Sequence, residues 1–557
     1  MKKIIFILLG LSLLLSACKK GELAKIDQIP YRQVIEYDCL SFEMDVPGEI
    51  SPDATYQWIS FTQNGNKVTF TVSRNTTTSI RHAEYTIAGS SYKVVINQKA
   101  HSLDAKQTIS VPSRTPVKAN MRLNLSTDHA ADYNEWGLIV SKDTSMVPFV
   151  TQKDDKSDTV WKVYPKSYPD NFADKKPGNG APKKGDNDLE VPVDKDTPYF
   201  VWSYVISTEK DTLVDFENYF RLIPPICITA DNVDKLQDLV KEEKSRGAEI
   251  RFASDCALSS LEINENFGGR IISGGWVSDF AEIDSTSYTK IGTSGITVST
   301  TEDDGPMYGN VNLSCFEITG CDAEGILVNG GPVYIHDCDI HDNKVGIATV
   351  KNSSSIVYIY NNKIADNTDN NVKIEDGVEN HKVTADYTQA TIVNNLISGA
   401  SMGIDGAVDA MVVNNTFVGD NWKLVVEEDA KLLFANNILS SQSAVVEFGK
   451  SYATFVGNLY TNKVELKSDD NISRKVDDKE SNKQADGIID SSYYPTGDAI
   501  GFGYLGEVSY KSKEIKDGTK VKISDILKTY DKDLAGKKRV VKVGDDDKVD
   551  AGCYQKQ

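Results

Sequence analysis

Asp342 and Asp366 stand 24 residues apart, each four residues past the same point of a recurring phrase. Two carboxyl groups are the equipment of glycoside hydrolysis, at separations of about 5–5.5 Å for a retaining mechanism and about 6.5–9.5 Å for an inverting one. If the phrases stack as neighbouring strands, a spacing of about 4.8 Å brings the two aspartates close to that range. The column continues as Gly399 and Gly419, so it also reads as a polar turn. Lyase chemistry needs cations against a uronate carboxylate and a base for the sugar proton. Lys344, Lys351, Lys363 and Lys373 lie on consecutive phrases, and Lys373 joins Asp342 and Asp366 as a candidate catalytic residue. Lys363 falls beneath Asp339, which is also the placing of an exposed ion pair. Glu302, Asp303 and Asp304 in TTEDDGPMYG offer the oxygen ligands that Ca²⁺ takes. Trp422 and Lys423 pair an aromatic with a cation on an expected exposed turn, and His381 and Tyr387 lie in an insertion that can wall a groove; these four are the candidate glycan contacts.

The elements that must position these residues are legible as a repeat. Asn362, Asn395, Asn415, Asn437 and Asn458 occupy one place in the phrases IYNNKI, IVNNLI, VVNNTF, FANNIL and FVGNLY; Cys338 and Phe316 hold it in IHDCDI and LSCFEI. The steps are 22, 24, 33, 20, 22 and 21 residues. A period near twenty, each unit a strand, a turn and a strand, predicts a solenoid. Three residues before this place stand Leu313, Ile335, Ile359, Ile392, Val412, Phe434 and Phe455, and two after it stand Ile318, Ile340, Ile364, Ile397, Phe417, Leu439 and Tyr460. Stacked, they make two continuous apolar walls that no coil can bury alone. Asparagine at the bend tolerates unusual backbone angles, and its side chain can bond along the column.

On these phrases, residues from about 249 to 462 resemble a right-handed parallel β-helix of the pectin-lyase-like superfamily. Before them, TADNVDKLQDLVKEEKSRG predicts a capping helix with Val233, Leu236, Leu239 and Val240 on one face, Asp231 as N-cap and Gly247 as stop. The chain end resembles the D-x-G-A-Y-E ending of secreted bacterial β-helix proteins at Asp550, Gly552 and Tyr554, and departs from it at Cys553 and Gln555. The Asp trio, Gly-His-Gly and Arg-x-Lys of polygalacturonases are missing. VYIHDCDI is similar to the strand before a pectate-lyase Ca²⁺ site, but Lys344 and Val345 replace the acids that should follow.

Lys2 and Lys3 precede an apolar run from Ile4 to Leu15, followed by Ser16, Ala17 and Cys18. This resembles a bacterial lipobox. The resemblance implies a signal peptide over 1–17 and lipidation of Cys18; Lys19 and Lys20, in place of an aspartate, imply the outer membrane, on its surface or its periplasmic face. Residues 18–35 read as a tether. Short alternating strands over 36–100, with Val68, Phe70 and Val72 on one face and Tyr92, Val94 and Ile96 on another, predict a small β-sandwich. Trp58-Ile59-Ser60, Asn75, Arg81 and Ile96-Asn97-Gln98 resemble the BACON domain of Bacteroides-type proteins that often act on carbohydrate. Residues 105–225 resemble a fibronectin-type-III or Ig-like sandwich, its Trp136, Trp161 and Trp202 filling the core or offering a sugar platform. Residues 230–557 then hold the β-helix, its capping helix and a C-terminal extension, whose stretch from Val464 to Asp490 reads as loose.

The expected fold is therefore all-β: a right-handed parallel β-helix preceded by two small β-sandwich domains. The net charge of −20, from 81 acidic and 61 basic residues, argues against nucleic acid as partner. Seven cysteines besides Cys18 make no metal-ligand spacing and read as interior packing, or as a disulfide between neighbouring coils. The expected protein is a monomer, anchored to the membrane by lipid, that binds or processes polysaccharide. The alternatives are a polysaccharide lyase or glycoside hydrolase, with Ca²⁺ as the conceivable cofactor, and a non-catalytic adhesive or structural surface protein.

Overall fold

A computed structural model describes residues 31–556 apart from 76–79, 100–104, 128–129, 143–148, 154–159, 164–174, 209–211, 216–218, 243–246, 285, 300–309, 352, 376–387, 428–429, 450, 463, 469–481, 511–518 and 544–545. Cys18, Glu302, Asp303, Asp304, His381 and Tyr387 lie outside the described residues. The chain divides into two compact units. One holds the described residues through Ser113, with Lys118–Pro192 and Tyr199–Leu222; the other holds Arg114–Val117, Val193–Pro198 and the chain from Ile223.

The first unit is built from paired sheets, antiparallel except where Arg32–Ile35 runs parallel to Lys93–Gln98. Strands Ser41–Asp45, Ile59–Asn64 and Lys67–Val72 face a sheet of Arg32–Ile35, Ile50–Pro52, Arg81–Ile87 and Lys93–Gln98. Alternation puts Val68, Phe70 and Val72 against Tyr85, Val94 and Ile96. Tyr92 departs from expectation: it precedes the strand Lys93–Gln98 and is exposed. In the second pair of sheets Trp136 and Trp202 are buried, so they fill the core and present no sugar platform. The Trp161 side chain is not among those described.

The second unit is a parallel β-helix. Its coils contribute to a sheet of eleven described strands and one of fifteen, with nearly all pairings parallel. Each regular coil holds three strands, as in Val333–His336, Asp339–His341 and Val345–Thr349, where the repeat predicts two. Both expected walls are present residue for residue, from Leu313 through Ile335 to Phe455, and from Ile318 through Ile340 to Tyr460. The third strands add a wall of Ile296, Ile326, Ile347, Val372, Met402, Leu424 and Val446. Each such side chain contributes roughly 1.5–3 kcal/mol on burial. The cap is shorter than predicted: a 3₁₀ turn Val233–Lys235 leads into a helix Leu236–Lys241 that buries Leu236 and Val240. Asn232, rather than Asp231, holds its entry, accepting from the Thr229 backbone N–H at 2.8 Å.

Each bend between the first and second strands has a two-residue grammar. The ladder asparagine is buried and bonds along the axis: Asn362 Nδ2 donates to Asn395 Oδ1 at 3.0 Å, Asn395 to Asn415 at 2.9 Å, Asn415 to Asn437 at 3.1 Å and Asn437 to Asn458 at 3.1 Å. The ladder runs one step further, to Asn482. The left-handed backbone falls on the residue before it, at Cys315, Asp337, Asn361, Asn394, Asn414, Asn436 and Gly457. The bend between the second and third strands repeats this scheme, with Asp342, Asp366 and Gly399 left-handed and Asn343 and Asn367 buried behind the aspartates, joined at 3.0 Å.

The C-terminal segment is not loose where it is described. Val464–Ser468 continues the coil register against Ala444–Phe448. Further on, Val508, Ile523, Leu527 and Val549 cover Val393, Val413, Leu433, Ala435 and Val456 on the outer face of the upper coils. The first asparagines of the doublets hold this cover: Asn394 donates to Lys532 O, Asn414 to Asp550 O and Asn436 to Tyr504 O, each at 2.9 Å. Asp550 accepts from the N–H of Gly501 at 2.6 Å and of Lys556 at 2.8 Å. At Gly552 (φ +83°) a Cβ would lie 2.5 Å from Thr416 Oγ1, so glycine is required there.

Candidate functional site

The upper coils are apolar outside and covered; the coils of Phe316, Cys338 and Asn362 are polar outside. Side chains alternate in and out along a strand, so the residues flanking the buried walls face outward. Four columns result: Asn312, Tyr334 and Tyr358; Ser314, His336 and Tyr360; Glu317, Asp339 and Lys363; Thr319, His341 and Ala365. They form one belt around the first bend.

The belt is internally bonded on both sides of the bend. Tyr334 and Tyr358 stack with centroids 4.5 Å apart and 9° between planes; His336 lies on Tyr360 at 4.7 Å. Stacked rings cover each other's faces, so this pair presents edges and hydroxyls. His336 is set by Asn312 Oδ1 at 2.7 Å from Nε2 and Asp337 Oδ2 at 2.6 Å from Nδ1. Burial lifts the Tyr360 hydroxyl to about 12, with the Asp337 charge adding to it. Past the bend, Glu317 Oε1 lies 3.3 Å from Lys290 Nζ and 3.7 Å from His341 Nε2. Burial raises the Asp339 carboxyl above its ordinary value; His341 and Lys363 pull it down and Glu317 pushes it up. Tyr288 is raised as well, chiefly by burial and then by the Asp339 charge.

The sequence candidates are distributed differently. Asp342 and Asp366 are neighbours on adjacent coils, as expected, but both are exposed bend residues with left-handed backbone, and Asp342 Oδ2 is bonded to His341 Nδ1 at 2.8 Å. Lys373 sits on the third strand, paired with Glu375 at 2.9 Å. Asp339 and Lys363 are register partners, yet no ion pair within 4.0 Å joins them. Trp422 is a correction: it is 1% exposed inside the strand Thr416–Val426, between Phe417 and Phe434. NWKL is not a turn because the outward residue is Lys423, which pairs with Glu447 at 2.6 Å. The seven described cysteines are free. Among the described residues no group of three His, Cys, Asp or Glu side chains could hold a metal.

The ladder marks the interior, while Glu317, His336, His341 and the belt tyrosines are not among the sequence candidates. The signal was present in the same alignment, at four and two residues before the ladder place and one and three after it. No family model matches the chain, and no curated protein matches it.

Proposed function

We propose that this is a lipoprotein of the outer membrane, anchored through Cys18, that binds polysaccharide along the belt of its β-helix. The observation that carries the reading is the belt's periodicity. Hydrogen-bonding side chains recur on three successive coils in register, and parallel strands repeat about every 4.8 Å. A linear chain of sugar residues is a polymer whose own repeat is comparable. Imidazole, phenol, carboxylate and ammonium groups supply donors and acceptors for its hydroxyls. The net charge of −20 favours a neutral or weakly charged glycan over a strongly acidic one. The two sandwich modules, BACON-like and fibronectin-III-like by resemblance, act as spacers between the lipid and the helix.

Native electrophoresis in gels containing neutral or uronate polysaccharides tests the binding. At least one glycan is expected to retard the chain; free migration in a broad panel would refute the reading. The anchor is tested separately: Cys18→Ser should abolish incorporation of labelled palmitate.

A further inference from the structure

A cavity of about 790 Å³ lies at the start of the β-helix; its lining residues all belong to the second unit, and none is on the belt. Small ligands are held in cavities of about 300–1,000 Å³. The walls are tied to one another. The backbone N–H of Val193 donates to Val117 O at 2.9 Å, and Asn232 Nδ2 donates to Cys227 O at 3.0 Å. Arg251, 3% exposed, donates to Arg114 O and to Phe280 O, each at 2.8 Å, so one guanidinium joins two walls. Its charge is answered by Glu249 at 2.8 Å and by the Trp276 ring, whose centroid is 3.9 Å away. Ser278, Asp279 and Phe280, in the wall that it pins, are all left-handed, with φ of 53°, 54° and 63°. Residues with a Cβ avoid this region, a bulky one most of all. Such backbone persists where its surroundings enforce it, as at ligand clamps. Here the turn joins the paired strands Ile271–Val277 and Glu282–Ile283 and brings Asp279 and Phe280 onto the lining.

The lining has two chemistries. Pro224, Pro225, Ile226, Leu239 and Phe280 are apolar and buried or half-buried. Burial pushes the Cys227 thiol among them up to about 11, so it is uncharged at neutral pH. The exposed rim carries the carboxylates of Asp196, Glu242 and Asp279 against the ammonium of Lys195. Among the described residues no hydrogen bond or ion pair engages the carboxyl group of Asp196 or Asp279. An acidic rim disfavours an anion and favours a cation, and an aromatic ring in the lining adds to that preference. We propose that this cavity binds an organic cation, an apolar body carrying an ammonium group, with the body on the proline and Phe280 floor and the ammonium at Asp196 and Asp279. This is a second site, and it stands or falls separately from polysaccharide binding on the belt.

Calorimetric titration of the full chain with naphthylethylamine, naphthylethanol and naphthylacetate tests it, since these probes share a shape and differ in charge. The amine should bind about tenfold more tightly than the alcohol, and the acetate more weakly than either. An Asp196→Asn/Asp279→Asn double variant should lose about tenfold for the amine and nothing for the alcohol. Asparagine tolerates left-handed backbone, so the turn keeps its form in that variant. Phe280→Ala should weaken amine and alcohol alike. An amine that does not bind, binds no better than the alcohol or the acetate, or keeps its affinity in either variant overturns the inference.

Discussion

Asn415 shows how much one side chain carries. It accepts from the backbone N–H and the Nδ2 of Asn395, both at 2.9 Å, and donates to Ile392 O at 2.9 Å and Asn437 Oδ1 at 3.1 Å, all without exposure. Each buried polar group left unpaired costs about 1–3 kcal/mol. Asn415→Ala should therefore lower stability by about 3 kcal/mol or more, read as a fall in the urea midpoint; a shift within error would contradict the ladder's role. Asp339 has the opposite sign. Its folded carboxyl titrates above its unfolded value, so its contribution is most favourable below the ordinary aspartate pKa of about 3.9 and is lost as pH rises through the folded value. Asn does not titrate, so Asp339→Asn should gain on the wild type as pH rises from about 4. Denaturation curves at several pH values check this; a variant less stable at pH 7 than at pH 4, relative to wild type, would contradict it.

At the scale of elements, the interior was readable and the exterior was not. Both walls of the first two strands follow from apolar residues at fixed distances from the ladder, because burial tolerates little else there. The third strand escaped because the connections that follow it vary in length, as the step of 33 residues shows. Asn482 escaped because Lys479 and Gln484 stand where the apolar flanks should be. Trp422 was misplaced for a related reason: an aromatic beside a lysine looks amphipathic, but strand alternation sends one inward and the other out. The C-terminal cover was hidden because its charged sequence has no period of its own; it packs on the outward-facing apolar columns of the upper coils. The helix Ile523–Thr529 is its clamp, with Ile523 and Leu527 buried. Leu527→Ala should cost about 2–5 kcal/mol, felt first as faster hydrogen exchange and proteolysis after residue 500, with the lower coils unchanged. Uniform protection throughout would show that the cover is not held by this contact.

Among the described residues, the β-helix is covered where its outside is apolar, and the cover reaches the polar belt at Tyr360, whose ring lies 5.1 Å from that of Tyr530. That division locates the candidate site on the coils of Phe316, Cys338 and Asn362, and the sequence alone did not mark it, since polar residues outside a solenoid are the ordinary case. Binding of polysaccharide on this polar belt is the central proposal. Calorimetric titration of a retarding polysaccharide into wild type, into a Tyr334→Ala/His336→Ala double variant and into Lys423→Ala, which lies off the belt, tests it directly. The double variant should bind about tenfold more weakly or worse, a loss of about 1.4 kcal/mol, and Lys423→Ala should match the wild type. Equal affinity for all three chains would contradict it.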